Sequence, residues 1–179
     1  RRQAEAERTR GLAVWWLDRM AAVEQPFPER MTWFWHGHFA TSARKVRSAA
    51  MMYGQNAALR RLGTGDFRAL AQAMVVDPAM LVWLDGGGNI AGRPNENLAR
   101  EILELHTVGV RSGYTQQDVA EFARALTGWT LPGDAASDGD SRFRFVPALH
   151  EPGVRTVLGS SYAQADDAQA LAILHALAT

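Results

Sequence analysis

Pro94-Asn95-Glu96-Asn97-Leu98-Ala99-Arg100-Glu101-Ile102-Leu103-Glu104-Leu105-His106-Thr107-Val108-Gly109 sets five ionisable side chains within about three helical turns. Pro94 closes a Gly86-Gly87-Gly88 loop, Asn95 is placed to cap the helix that follows, and Gly109 to end it. At about 100° per residue, Leu98, Ala99, Ile102, Leu103, Leu105 and His106 share one arc, so that arc is expected to face the core with His106 near its middle. Asn97, Arg100, Glu101 and Glu104 fall opposite, and Glu101 and Glu104, three residues apart, are neighbours. This polar arc has two readings. In one it is a solvated stripe in which Glu96 with Arg100, and Arg100 with Glu104, make pairs worth about 0.3 to 0.5 kcal/mol each. In the other, Glu101, Glu104 and Arg100 are catalytic candidates, the carboxylates serving as metal ligands or as an acid and a base. His106 reads either as a hydrogen-bonded core histidine or as a ligand, and the sequence places no second donor beside it.

Outward from this helix the punctuation stays helical over the first 130 residues. Arg8 to Val23 is amphipathic, with Leu12, Trp15, Trp16 and Met20 near helical spacing. Pro28 and Glu29 suit a first turn, and Gly37 is expected to stop the helix carrying Met31, Phe34 and Trp35. Thr41 or Ser42 caps a helix expected to run through Val46, Ala50 and Tyr53 to Leu62 and to stop at Gly63. Asp66 caps Phe67 to Val76, and Asp77-Pro78 opens Ala79 to Leu84. Thr115 with Asp118 forms a capping-box-like start for a helix whose stripe is Val119, Phe122, Ala123 and Leu126, ended by Gly128. Beyond Thr130 the texture changes: 130–142 reads as a mobile loop, and 143–158 as a small hairpin joining the alternating Arg142 to Val146 run to Arg155 to Leu158. The fold class is therefore mainly α, an irregular multi-helix bundle with a small β-hairpin near the C-terminal end, in one domain over 1–179.

A chain of 179 residues, 47 % of them apolar, is long enough to build a core. Nineteen basic and nineteen acidic residues cancel, so bulk attraction to nucleic acid or to an anionic membrane is not expected, and any basic effect must be local. With no cysteine there is no disulfide framework, thiolate metal site or cysteine nucleophile. No run approaches the length of a transmembrane segment, and the opening residues lack both an initiating Met and a signal core, so the chain reads as a piece of something longer. Between Thr41 and Gly65 there are five cations, Lys45 among them, and no acid; that stretch complements the acidic arc of the central helix.

The second candidate element is Phe34-Trp35-His36-Gly37-His38-Phe39. On a continuous helix His36 and His38 would point about 200° apart, but a break at Gly37 would let them converge on a divalent metal such as zinc or iron. The plainer reading is a packed aromatic cluster, and a Trp-rich surface of this kind also suits stacking against sugars or other planar ligands. His150-Glu151 follows a Phe-containing strand and is accounted for equally well as a turn pair. Asp134, Asp138 and Asp140 lack calcium-loop spacing.

Taken in order, Met31 to Ser42, Asp77-Pro78-Ala79-Met80-Leu81, the central helix, Gly113-Tyr114-Thr115 and Leu126-Thr127-Gly128-Trp129 resemble the bacterial family called domain of unknown function 1800, across roughly Trp15 to Leu177. The resemblance implies an exported, envelope-associated protein, with relatives that extend further on the C-terminal side and are often encoded beside a second exported family with a sulfatase-like fold. It also implies His-Asp where this chain has His150-Glu151. Two functions follow as expectations. One is a metal-dependent hydrolase with His36 and His38 as ligands and Glu101, Glu104 and Arg100 around the reaction, Glu96, His106, His150 and Lys45 standing by. The other is a non-catalytic envelope module in which the same residues form a salt-bridged network and the aromatic surface binds an envelope protein or a glycan.

Overall fold

The computed structural model describes residues 2–131 and 143–179. The expected mobile loop lies outside the described residues from 132 onward, as do Asp134, Asp138 and Asp140. The fold is mainly α. The helices are α1 (Arg2–Ala22), α2 (Phe27–His38), α3 (Ala43–Val46), α4 (Ala49–Leu62), α5 (Phe67–Val75), α6 (Pro78–Trp83), α7 (Asn97–Glu101), α8 (Gln116–Ala125) and α9 (Asp167–Leu177). The strands are β1 (Trp129–Thr130), β2 (Arg144–Phe145), β3 (Arg155–Val157) and β4 (Ser160–Tyr162).

Most helix starts are fixed by one side chain accepting from an orphan amide. Ser42 accepts from Arg44, Ser48 from Met51, Asp66 from Ala69 and Asp77 from Met80. Thr115 and Asp118 complete a reciprocal capping box. Where the chain departs from expectation, a local conformation explains it. The helix foreseen from Thr41 or Ser42 to Leu62 is two helices, because Arg47 turns into the left-handed region at φ 54° and Ser48 restarts the backbone. Gly37 does not break α2. The helix continues to His38, and the Phe39 amide closes its last turn on the Trp35 carbonyl at 2.8 Å.

The small hairpin near the C-terminal end is present as β3 and β4, with Thr156 opposite Ser161. The alternating run at Arg144-Phe145 pairs instead with β1, Trp129 opposite Phe145, so residues 143–158 contribute to two separate ladders. Gly128 makes that corner. Its φ is +82°, and a Cβ there would stand 2.8 Å from the Val146 carbonyl oxygen.

One apolar core joins Phe39, Leu59 and Met74 to Ile102, Leu103, Phe122, Trp129 and Ile173, all buried. Each such side chain removed from water contributes about 1.5 to 3 kcal/mol. Against it α8 packs on α7 and β3, and α9 on α5 and α8. Among the described residues no helix is long and apolar enough to cross a membrane.

Candidate functional site

The central helix is held at its start by Asn89, a buried side chain that donates to the Ala123 carbonyl at 2.8 Å and accepts from the Asn95 amide at 2.8 Å. Asn95 accepts in turn from the Asn97 amide at 3.0 Å, satisfying an amide at the head of α7. After Glu101 the helix widens into a π turn, Ile102–His106. Thr107 donates its hydroxyl to the Ile102 carbonyl at 2.7 Å, and the Gly109 amide, at φ +90°, reaches back to Leu103 at 3.0 Å. The widening changes the register of the helix. His106 is inward, 5 % exposed, as its spacing foretold, but Leu105, expected on the same arc, is 54 % exposed.

On the outer side Arg100 gathers the acids. It donates to Glu96 at 2.8 Å and to the Gln116 side-chain carbonyl at 2.8 Å, and lies 3.6 Å from Glu104. Gln116 donates to the same Glu96 oxygen at 2.8 Å. The Tyr114 hydroxyl donates to Glu104, and that bond pushes the phenol's pKa up. Glu101 stands apart. Among the described residues its carboxyl has no hydrogen-bond partner, and burial, followed by the charge of Glu104, raises its pKa.

The two histidines of α2 do not converge. His36 turns inward against the edge of Trp16, ring centres 5.2 Å apart, with its Nδ1 buried and unpartnered. Burial lowers its pKa. His38 leaves from a different side of the helix, and its Nε2–H donates to the His106 carbonyl at 3.1 Å. Its ring sits against Phe39 and Trp35, 6.0 Å from the His106 ring. The expectation of a His36/His38 chelate therefore fails, because an unbroken helix separates positions two residues apart by more than half a turn. The contact that does form is His38 with His106. No local signal could have disclosed it, since the partners are 68 residues apart. Burial, with a smaller contribution from His38, lowers the His106 pKa to about 4. Among the described residues, no group of three or more His, Asp or Glu side chains could hold a metal ion.

A different charged centre organises the N-terminal helices. Glu29, 3 % exposed, accepts from Arg60 through Nε at 2.5 Å and a second guanidinium nitrogen at 2.9 Å, from Arg19 at 2.6 Å and from the Trp16 indole at 3.1 Å. The Arg60 contact leads the effects that hold its pKa down at about 2. Glu29 thus ties α1, α2 and α4 together. Sequence reasoning assigned it only a favourable first-turn position, although it shares a helical stripe with Thr32 and His36 that was available to be read. The basic segment does not face the acids of α7: Lys45 donates to Asp85 at 2.8 Å and to the Trp83 carbonyl at 2.6 Å, while Arg60 serves Glu29. Asp85 lies in the wall of a cavity of about 420 Å³ lined also by Leu81, Val82, Gly87, Asn95 and Leu131.

The family model described as Protein of unknown function (DUF1800) matches residues 1–179, the whole chain. The chain belongs to this family. No curated protein and no solved structure matches it.

The DUF1800 stretches noted in the sequence now have physical roles. Thr127-Gly128-Trp129 is the α8-to-β1 corner, where the Thr127 hydroxyl accepts from the Glu151 amide at 2.8 Å and the Thr127 carbonyl accepts from His150 Nδ1–H at 3.0 Å. Glu151 accepts from Arg124 at 2.7 Å, and buried Arg155 donates to the Glu151 and Pro152 carbonyls at 2.7 and 3.0 Å. Arg124 lowers the Glu151 pKa. His150 and Glu151 are accordingly bonded into this corner, and Tyr114-Thr115 both caps α8 and closes on Glu104.

Proposed function

We propose that this chain is a non-catalytic binding module. One observation carries the reading: apart from Glu101 and His36, the groups that would do chemistry are engaged with neighbouring side chains or backbone, while large aromatic side chains are left bare. Glu96 and Glu104 are held by Arg100, Gln116 and Tyr114; His38 by the His106 carbonyl; His150 by Thr127; Glu151 by Arg124. Phe27, Trp33, Phe34 and Tyr53 meanwhile point into solvent. Phe27, Trp33 and Phe34 share one helix, and grouped apolar exposure marks surfaces that are covered in use. The resemblance to exported proteins supports an envelope setting, with a component of the envelope as the partner.

The test is elemental analysis of chelator-free protein beside His36→Ala and Glu104→Ala. Metal far below one ion per chain in all three, with stability lost in the variants, is the expected result. Stoichiometric metal that disappears in both variants overturns the reading in favour of a metal-dependent hydrolase. That rival retains one specific observation, the half-buried Glu101 carboxyl beside Glu104, two neighbouring acids in unlike environments as in acid and base pairs.

A further inference from the structure

Helix α2 is built inside out. Glu29, Thr32 and His36 share its inward stripe, and Glu29 and Thr32 are buried, whereas Phe27, Trp33 and Phe34 are 62, 58 and 56 % exposed. Surface helices ordinarily bury their apolar face and wet their polar one. At about 100° per residue Phe27, Arg30, Trp33 and Phe34 fall within about 120° of one another, so the exposed aromatics form one face with a single charge in it. Arg30 is exposed, and among the described residues its guanidinium has no partner. The rings are rooted, since Trp33 packs on Trp16 at 5.4 Å and Phe34 on Trp35 at 4.9 Å. From Phe27 to Phe34 this face runs about 10 Å along α2.

Charge identifies what covers it. The first 65 residues, which make α1 to α4, carry 11 Lys and Arg against 5 Asp and Glu; the remaining 114 carry 8 against 14. Net neutrality therefore conceals a division of charge along the chain, and the aromatic face belongs to the cationic part, where Glu29 is already consumed by Arg60 and Arg19. An anionic partner fits. Phe27 and Phe34 offer no hydrogen-bonding group, and the face has only the Trp33 indole and the Arg30 guanidinium to give. A polysaccharide, dense in hydroxyls, would leave most of its polar groups unmatched against such a face. A bilayer interface needs no such matching: aromatic rings settle at headgroup depth and a guanidinium pairs with phosphate.

We propose that the outer face of α2 is a peripheral docking surface for an anionic phospholipid bilayer, with Phe27, Trp33 and Phe34 entering the interface and Arg30 engaging a lipid phosphate. The proposal names the partner of the binding module and rests on that reading for its role. Its experiment is co-sedimentation of the 179-residue chain with vesicles of phosphatidylglycerol and phosphatidylcholine, and with vesicles of phosphatidylcholine alone. Partition into the anionic vesicles is expected to fall at least tenfold in the double variant Trp33→Ser/Phe34→Ser, with a cooperative melting transition retained well above the assay temperature. Arg30→Gln is expected to lower partition into the anionic vesicles severalfold and to flatten its salt dependence, leaving the neutral vesicles unaffected. No partition by the unaltered chain, partition indifferent to the double variant, or retention on insoluble peptidoglycan through the same residues in place of vesicles overturns the proposal. Stoichiometric metal in the elemental analysis would remove the binding-module reading alone and would leave these vesicle outcomes to stand or fall separately.

Discussion

The layer of α1, α2 and α4 and the layer of α7, α8 and α9 are held by opposite means. Around α8 the contact is mainly apolar: Ile102, Leu103, Phe122, Leu126 and Ile173 are buried, and the two charged residues buried beside them, Asp118 and Arg155, are bonded chiefly to backbone groups. Around α2 the centre is a carboxylate, with two guanidiniums and an indole arriving from the neighbouring helices, and the aromatics that could have filled that space face outward. A buried ion pair gains little over an apolar core of the same shape, but removing one partner leaves the others uncompensated. The first layer is thus the more brittle to single substitutions, and it is also the one with an unsatisfied surface.

The largest effect should come from Glu29. Replacing it with Ala strands Arg60 and Arg19 and is expected to cost about 3 to 5 kcal/mol in urea unfolding, as for other broken buried pairs. Because its folded pKa is about 2 against an ordinary 4.5, its contribution is present above pH 4.5 and lost as the pH falls through 2. The variant should lose that acid limb.

Next in size is a pair of opposed pH dependences, one in each half. His106 has a folded pKa of about 4 against an ordinary 6.5, so between those values only the unfolded chain takes the proton, and stability falls as the pH falls, by about 3 kcal/mol over the window. Asp77 is buried without a counter-charge, which pushes its pKa to about 7 from 3.8 despite bonds from Gln55 and the Met80 amide. Between those values the folded chain keeps a proton that the unfolded chain has released, and stability falls as the pH rises. From pH 4 to 6.5 the two slopes offset. Urea midpoints should therefore be nearly flat across that range in the unaltered chain, fall on acidification in Asp77→Asn, and rise on acidification in His106→Gln. Parallel profiles for all three would show that these groups are not buried as described.

Gly128→Ala should cost about 1 to 3 kcal/mol by thermal unfolding, since it forces a side chain into a left-handed backbone facing the Val146 carbonyl. Arg100→Gln should sit at the small end. Its pairs with Glu96 and Glu104 are a third exposed, so the loss is expected to stay below about 1 kcal/mol. A much larger loss would move the α7 cluster from the rim into the architecture.

What the sequence disclosed about this fold was local. Ser42, Asp66, Asp77-Pro78 and Thr115 with Asp118 act within three residues of themselves, and each starts a helix as expected. The stripe of Val119, Phe122, Ala123 and Leu126 is buried because α8 keeps a regular period. The candidate site depended on distant or irregular features, and there the reading was poorer. Glu29 meets Arg60 across 31 residues and His38 meets His106 across 68, and neither spacing leaves a periodic trace. The π turn shifts Leu105 outward, which a wheel drawn at constant angle cannot anticipate. Gly37 has the residue type of a helix stop, yet α2 carries it on to His38, and that single continuation separates the two imidazoles.

The inverted construction of α2 is tested most directly by urea unfolding of Glu29→Gln and of Trp33→Ser/Phe34→Ser, side by side at pH 7. If charge inside holds the layer and the aromatics serve a surface, Glu29→Gln loses at least about 3 kcal/mol while the aromatic pair, giving up only its partial packing on Trp16 and Trp35, loses about 1 to 2 kcal/mol. A severe loss from the aromatic pair with little change at Glu29 would contradict it.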